Sequence, residues 1–113
     1  MRLQIRLLGQ FSATLDGRPF DKLAGARLQS LLAYLVLHAE TPQARSHLAF
    51  LFWPDTAESN ARNNLRQLLH QLRGALPEPD RLIRVEAGSV QWDPQDCCQV
   101  DVTLIGQVLA DAE

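Results

Sequence analysis

Cysteine is scarce in this chain, and the scarcity argues against two kinds of site. Only Cys97 and Cys98 occur among the 113 residues, and they are adjacent. A disulfide framework or a structural zinc site needs cysteines in spaced pairs such as C-x-x-C, so neither is supported and both side chains are predicted to remain thiols. His38 and His47 have no acid or thiol at ligand spacing, so we expect no metal and no other cofactor.

Long apolar runs are missing as well. No segment approaches the roughly 18 apolar residues that a membrane helix needs. The first residues, MRLQIRLLGQF, lack the apolar block and the small-residue cleavage site of a secretory signal. The sequence therefore predicts a cytoplasmic protein without membrane contact.

Sequence motifs that carry catalysis are a third absence. The chain has no glycine-rich phosphate loop, no nucleophile elbow and no evident pair of catalytic carboxylates, and its serines and cysteines have no evident base. A fragment of a small-molecule enzyme is therefore the least favoured hypothesis, and we predict that the chain is not an enzyme.

The composition is that of an ordinary globular domain. Hydrophobic residues make up 46% of the chain, which is enough for one core.

Basic residues are distributed unevenly along the chain. The net charge is −2, but five of the 13 acidic residues follow Trp92 without any Lys or Arg among them. Residues 1–92 therefore hold 11 basic against 8 acidic side chains, an excess of three positive charges. Between Ala61 and Arg84 five arginines stand against two acids, which predicts a moderate positive patch on that part of the protein.

The amino-terminal part has the period-2 pattern of half-buried strands. Apolar and polar residues alternate over Leu3–Leu7 and again over Phe11–Leu15. Asp16-Gly17 accepts the positive φ of a tight hairpin turn, and Arg18–Phe20 follows as a short edge strand. Three small antiparallel strands are predicted.

Helical spacing follows. The apolar residues from about position 24 predict a first helix that ends near His38, with Asp21 as its cap or first-turn anion. Leu48, Leu51 and Phe52 mark the apolar side of a second, short helix from about 45 to 52.

A third and longer helix is predicted from about 56 to 76, opened by a capping box of Asp55 and Glu58. At 100° per residue its two faces differ in chemistry. The apolar face comprises Ala61, Leu65, Leu68, Leu69, Leu72 and Leu76, and the polar face comprises Ser59, Asn63, Arg66, Gln67, His70 and Arg73. Asn and Gln can bind adenine and Arg can bind guanine in the major groove, so this face is equipped to read DNA. A merely solvated helix face is the alternative that the pattern leaves open.

Two strand-like segments come after the long helix. Residues 82–86 and 89–92 are joined at Ala87-Gly88, where glycine permits a hairpin turn. The acidic stretch Asp93–Gln99 is the one linker candidate, and a helical pattern begins after Asp101. The order predicts an α+β winged helix-turn-helix with three amino-terminal strands, three helices and hairpin 82–92 as the wing. The predicted domain covers residues 1–93, and residues 94–113 are predicted to form an acidic linker and the start of a helix.

The segments RLLGQFSATLDGRP, RLQSLLAYLVLH, HLAFLFWPD and ARNNLRQLLHQLRGAL carry a family resemblance. Over about Leu3 to Trp92 the chain resembles the OmpR/PhoB-type winged helix, and more closely the amino-terminal DNA-binding domain of the SARP (AfsR/DnrI/RedD) regulators. WPD followed by ARNNLRQ is the most specific piece. In that family a bacterial transcriptional activation domain comes next, and QVDVTLIGQVLADAE resembles its opening.

The resemblance implies a sequence-specific DNA-binding domain of a bacterial transcriptional regulator that takes part in signal transduction. It implies direct-repeat promoter sites on double-stranded DNA, with RNA polymerase as a further partner. The chain is expected to be a monomer in solution or a head-to-tail dimer on DNA. The alternative is a winged-helix module for protein–protein interaction, an effector domain without specific DNA binding.

Candidate contacts follow from the matched positions and from the helix ends. The base-contact candidates are Asn63, Arg66, Gln67 and His70. The phosphate-contact candidates are Arg45, Ser46, Arg62, Arg73, Arg81 and Arg84, which lie at the start of the second helix, beside the polar face of the third, or at the wing. Gly74 departs from the family pattern, which commonly has a basic residue there, and a glycine costs helix stability.

Overall fold

The computed structural model describes residues 2–7, 10–39, 41–94 and 98–101. Its helices are α1 (Ala26–Leu37), α2 (Arg45–Phe52) and α3 (Glu58–Ala75). Its strands are β1 (Leu3–Arg6), β2 (Ser12–Leu15), β3 (Arg18–Pro19), β4 (Gln43–Ala44), β5 (Ile83–Val85), β6 (Ser89–Trp92) and β7 (Cys98–Val100). A 3-10 helix, Pro79–Arg81, connects α3 to β5. The α+β arrangement predicted from the sequence, with an amino-terminal antiparallel sheet, three helices and a hairpin after them, is confirmed.

The amino-terminal sheet forms because its alternating residues have one buried side. β1 pairs antiparallel with β2, and β2 pairs antiparallel with β3. Leu3, Ile5 and Ala13 are buried, while the polar residues between them face outwards. At the turn, Asp16 and Gly17 have φ values of 52° and 83°, the left-handed pair that a tight hairpin requires.

A fourth strand in this sheet was not predicted. β7 pairs parallel with β1, beside which it buries Val100. It overlaps the end of the predicted acidic linker, Asp93–Gln99, so that interpretation is wrong for residues 98 and 99. Three residues are too few to show a strand period, and the partner strand is almost a hundred positions away in the sequence. The remaining predicted linker residues 95–97, with Cys97, and the predicted helix after 101 lie outside the described residues.

Two predicted helix starts are also corrected. α1 begins after Gly25, whose φ of 98° lies outside the helical region, and not after Asp21. The segment between them contains the buried Leu23. α3 begins at Glu58 with Ala57 as its N-cap and without a side-chain cap bond, so the Asp55 capping box does not form. The Thr56 backbone N–H instead donates to the Trp53 carbonyl at 3.3 Å, which makes this stretch a turn.

Leucines make up more than half of the buried core among the described residues, and most of these leucines lie in the three helices. The predicted apolar face of α3 is buried as a whole: Ala61, Leu65, Leu68, Leu69, Leu72 and Leu76. It packs against α2 and α1, and Trp92 of β6 is also buried. The predicted polar face therefore points away from the core. Among the described helices, none is long and apolar enough to cross a bilayer.

The hairpin of β5 and β6 belongs to a three-stranded sheet. β6 also pairs antiparallel with β4, a two-residue strand that the sequence did not predict. Directly after β4, the Arg45 backbone N–H donates to the Gly88 carbonyl at 3.0 Å. The start of α2 is therefore fixed beside the turn of the wing.

Candidate nucleic-acid interface

The four base-contact candidates share one exposed side of α3. Asn63, Arg66, Gln67 and His70 are all exposed, and their spacing of three and four residues places them on neighbouring turns. The helix has 18 residues, so it is roughly 27 Å long. A helix of this kind fits the major groove of B-form DNA, which is about 12 Å wide.

An open groove of about 600 Å³ lies between α2, α3 and the wing turn, and we call it the arginine groove. Its lining residues are Arg45, Ser46, Ser59, Arg62, Asn63, Leu65, Arg66, Ala87 and Gly88. The lining has three guanidinium groups and no carboxylate. Such an excess of one charge makes the groove attractive to anions.

Arg45 holds a particular position in the arginine groove. Its side chain is half-buried because the residue follows β4 and its backbone is bonded to the wing turn. Its Nε atom is buried and makes no hydrogen bond within the described part of the chain. A buried donor without a partner is unfavourable, so an acceptor that entered the groove would gain a bond there.

Arg66 is held by its neighbour on the helix. Its Nη2 donates to Oδ1 of Asn63 at 2.8 Å. Arg66 also lines a second hollow of about 420 Å³, together with Gln67, His70 and Gln71. Arg66 therefore lies at the boundary between the arginine groove and the second hollow.

The other three arginine candidates are paired with acids. Arg73 Nη2 lies 2.7 Å from Oδ1 of Asp80, Arg81 Nη1 lies 3.5 Å from Oε1 of Glu78, and Arg84 Nη2 lies 2.6 Å from Oδ2 of Asp93. None of the three arginines lines the arginine groove. The six predicted phosphate contacts therefore fall into two groups. Arg45, Ser46 and Arg62 line the arginine groove, whereas Arg73, Arg81 and Arg84 are each paired with a carboxylate.

These acidic partners were not predicted from the sequence. Glu78 and Arg81 are three residues apart, a spacing that could have indicated the pair. The other two pairs join residues seven and nine positions apart across turns, where spacing alone predicts no contact.

Two apolar residues of α2, Phe50 and Leu51, form an exposed patch that was not predicted from the sequence. Phe50 and Leu51 are exposed, although Leu51 was expected on the buried side of this helix, where Leu48 and Ala49 lie instead. An eight-residue helix is too short for its apolar period to determine the buried side. Trp53 next to the patch is half-buried, and the Arg27 guanidinium lies 4.9 Å from its ring centroid.

The histidines form no metal site in the described ranges. His38 lies against Tyr34 with ring centroids 4.3 Å apart, and His47 is exposed at α2. No group of three or more His, Cys, Asp or Glu side chains comes together among the residues that the structure describes.

The fold and this surface define a winged helix-turn-helix domain with an exposed arginine and amide face on its third helix. Comparison of the chain with family models, with curated proteins and with solved structures found no match. The resemblance to the SARP regulators therefore rests on the segments quoted above, and it stays a prediction.

Proposed function

We propose that this chain binds double-stranded DNA sequence-specifically, as the DNA-binding domain of a bacterial transcriptional regulator. The observation that carries the proposal is the arginine groove, whose lining has three guanidinium groups and no acid. Arg66, one of the three, belongs to the exposed Asn63–His70 side of α3. In this proposal α3 lies in the major groove and the wing lies next to the DNA backbone.

Phosphate contacts are assigned to the arginine groove. Arg45 and Arg62 supply positive charge, and the hydroxyl of Ser46 supplies a neutral donor. A phosphate oxygen that reached Nε of Arg45 would satisfy the buried donor. Because these residues lie beside the first half of α3, a phosphate held there would fix how far that helix enters the major groove.

Base contacts are assigned to the middle of α3. Arg66, Gln67 and His70 surround the second hollow, and they are exposed side chains with hydrogen-bonding groups. Base edges, and not phosphates, carry the donor and acceptor pattern that distinguishes sequences.

The family resemblance extends the proposal to partners and place. It supports direct-repeat promoter sites bound by two copies head to tail, and RNA polymerase as the protein contacted for activation. It also supports the bacterial cytoplasm as the compartment.

Selection of bound duplexes from a random DNA pool tests the proposal. The full chain is expected to enrich one short motif, and a variant with Asn63→Ala, Arg66→Ala and Gln67→Ala is expected to lose it. A matched control variant replaces an exposed Asn, Arg and Gln elsewhere, with Asn60→Ala, Arg18→Ala and Gln10→Ala. Circular dichroism checks that all three proteins are folded.

Loss of the motif in the first variant but not in the matched control would assign base reading to α3. Equal loss in both variants would contradict that assignment, because the two variants remove the same residue types and the same charge. Failure of the folded full chain to enrich any motif would contradict sequence-specific binding.

A protein-binding module is the second candidate function. It is favoured by the exposed Phe50 and Leu51, since adjacent apolar side chains on a surface can mark a contact with another protein. If the full chain enriches one DNA motif in the selection, protein binding would not be its main activity.

A further inference from the structure

The hydrogen bond between Arg66 and Asn63 gives one base-contact candidate a different role. Arg66 Nη2 donates to Oδ1 of Asn63 at 2.8 Å, and both side chains are exposed three residues apart on α3. We propose that Asn63 is a positioning residue that holds the Arg66 guanidinium for a guanine, and that it is not an independent reader of adenine. The inference rests on the proposed DNA-binding function, and it names the base that the centre of the site prefers.

The donor count of Arg66 is compatible with this role. A guanidinium has five N–H donors in a rigid planar arrangement. The bond to Asn63 uses one Nη2 hydrogen and leaves four donors. These still include one adjacent pair, which is what two parallel bonds need. Guanine presents two acceptors, O6 and N7, in the major groove, and the arginine fork matches them. A guanidinium already oriented by Asn63 loses less side-chain freedom when the guanine binds.

The same bond makes Asn63 a poor reader of adenine. To read adenine, an asparagine accepts from the N6 amino group through Oδ1 and donates to N7 through Nδ2. Here Oδ1 already accepts from a positively charged donor, so an approaching amino group would compete with that charge. The Nδ2 group keeps two N–H donors for an acceptor on the adjacent base pair. Asn63 and Arg66 together therefore present mainly donors to the DNA, and guanine is the base that presents two acceptors.

The position of Arg66 favours a base over a phosphate. Arg66 lines both the arginine groove and the second hollow, so it lies at the middle of the exposed surface. Arg45 and Arg62 supply the groove with charge on their own. A central side chain on a helix in the major groove faces base edges, whereas side chains at the rim face the backbone.

A double-mutant cycle on base preference tests the inference with the full chain. The duplex is the motif selected by the wild-type protein, and each base pair is replaced in turn. Replacement of one G·C pair by A·T is expected to weaken wild-type binding by about 5- to 150-fold. Arg66→Ala is expected to abolish that preference. Asn63→Ala is expected to reduce it at the same base pair, and the double variant is expected to lose no more preference than Arg66→Ala alone.

Two further variants separate positioning from other effects. Asn63→Asp keeps an oxygen that can accept from Arg66, so it should preserve the guanine preference even where its negative charge weakens binding overall. Asn60→Ala makes the same change at an exposed asparagine outside both hollows, and it should leave the preference unchanged. Circular dichroism melting identifies any variant that acts through unfolding.

Three outcomes would overturn the inference, and each leads to a different conclusion. If Asn63→Ala relaxes a different base pair and the two effects multiply in the double variant, the residues read independently while DNA binding stands. If Arg66→Ala weakens all duplexes equally, Arg66 contacts phosphate. If the wild-type chain selects no motif at all, the proposed function fails together with the inference.

Discussion

Arg84 shows at the scale of single residues how a positive charge can be present without being available. Its guanidinium lies 2.6 Å from a carboxylate oxygen of Asp93, and both side chains are partly exposed. A phosphate of DNA would have to compete with this carboxylate. An exposed pair is weak, however, so the competition lowers the contribution of Arg84 without cancelling it.

Asp93→Asn is expected to strengthen DNA binding. The substitution removes the competing charge and leaves Arg84 in place, so the dissociation constant should fall by up to about fivefold, the limit set by the roughly 1 kcal/mol of an exposed pair. Fluorescence anisotropy with the selected duplex at fixed salt measures the change. Asp21→Asn is the control, since Asp21 is also exposed and its replacement alters the net charge equally. An equal gain in both variants would attribute the effect to overall charge and not to the pair.

The candidate residues themselves were predictable to different degrees. The exposed side of α3 followed from the helical period, because successive turns from Ala61 to Leu72 repeat the same division between buried apolar and exposed polar residues. The partners of Arg73 and Arg84 did not follow, because turns bring Asp80 and Asp93 close to them in space. Spacing within one helix indicates contacts, whereas spacing across a turn does not.

At the scale of elements, α3 has a regular division into an apolar and a polar face, but a glycine, a poor helix former, lies near its carboxyl end. Gly74 lies in the last turn, and within the described structure no heavy atom is within 4 Å of a Cβ added there. A glycine in a helix has more conformational freedom to lose on folding than an alanine has. The helix that carries the proposed base contacts is therefore less stable than its length allows.

Gly74→Ala is expected to raise the free energy of unfolding by about 0.5 to 1 kcal/mol, because alanine is the better helix former and meets no steric obstacle. Urea denaturation followed by circular dichroism measures it. Gly25→Ala provides the contrast: its surroundings are equally open, but its φ of 98° is unfavourable for any L side chain, so this variant should be less stable. Stabilisation by both substitutions would show that the backbone at Gly25 is not held in that conformation.

Two short strands, β4 and β7, were the part of the fold that the sequence did not reveal. β4 has two residues and β7 has three, and each exists because a distant strand offers it a hydrogen-bonding edge. The start of α3 was misplaced for a related reason, since Ala57 has no side chain that could signal a cap. Elements with several repeats of their own period were predicted, as was the two-residue β3, which the Asp16-Gly17 turn signals. β4 and β7, which have no such signal beside them, were not predicted.

At the scale of the whole molecule, the distribution of charge matters more than its total. The chain has a net charge of −2, yet the lining of the arginine groove has three positive groups and no acid. The described carboxylates of Glu78, Asp80 and Asp93 each neutralise an arginine outside that groove. The positive field that a DNA duplex would meet is therefore concentrated between α2, α3 and the wing turn.

This concentration predicts a shallow dependence of DNA binding on salt. Each phosphate neutralised contributes about −0.9 to the slope of log affinity against log salt concentration, so two or three phosphate contacts in the arginine groove give a slope of about −2 to −3. If the five arginines among the phosphate-contact candidates all reached phosphates, the slope would be about −4.5. Anisotropy titrations from about 50 to 200 mM salt distinguish the two values. A slope near −4.5 would mean that the three surface ion pairs open when DNA binds, and that their arginines belong to the interface. A slope near −2 to −3 that steepens by about 0.9 in Asp93→Asn would mean that the acids around the wing limit the interface to the arginine groove.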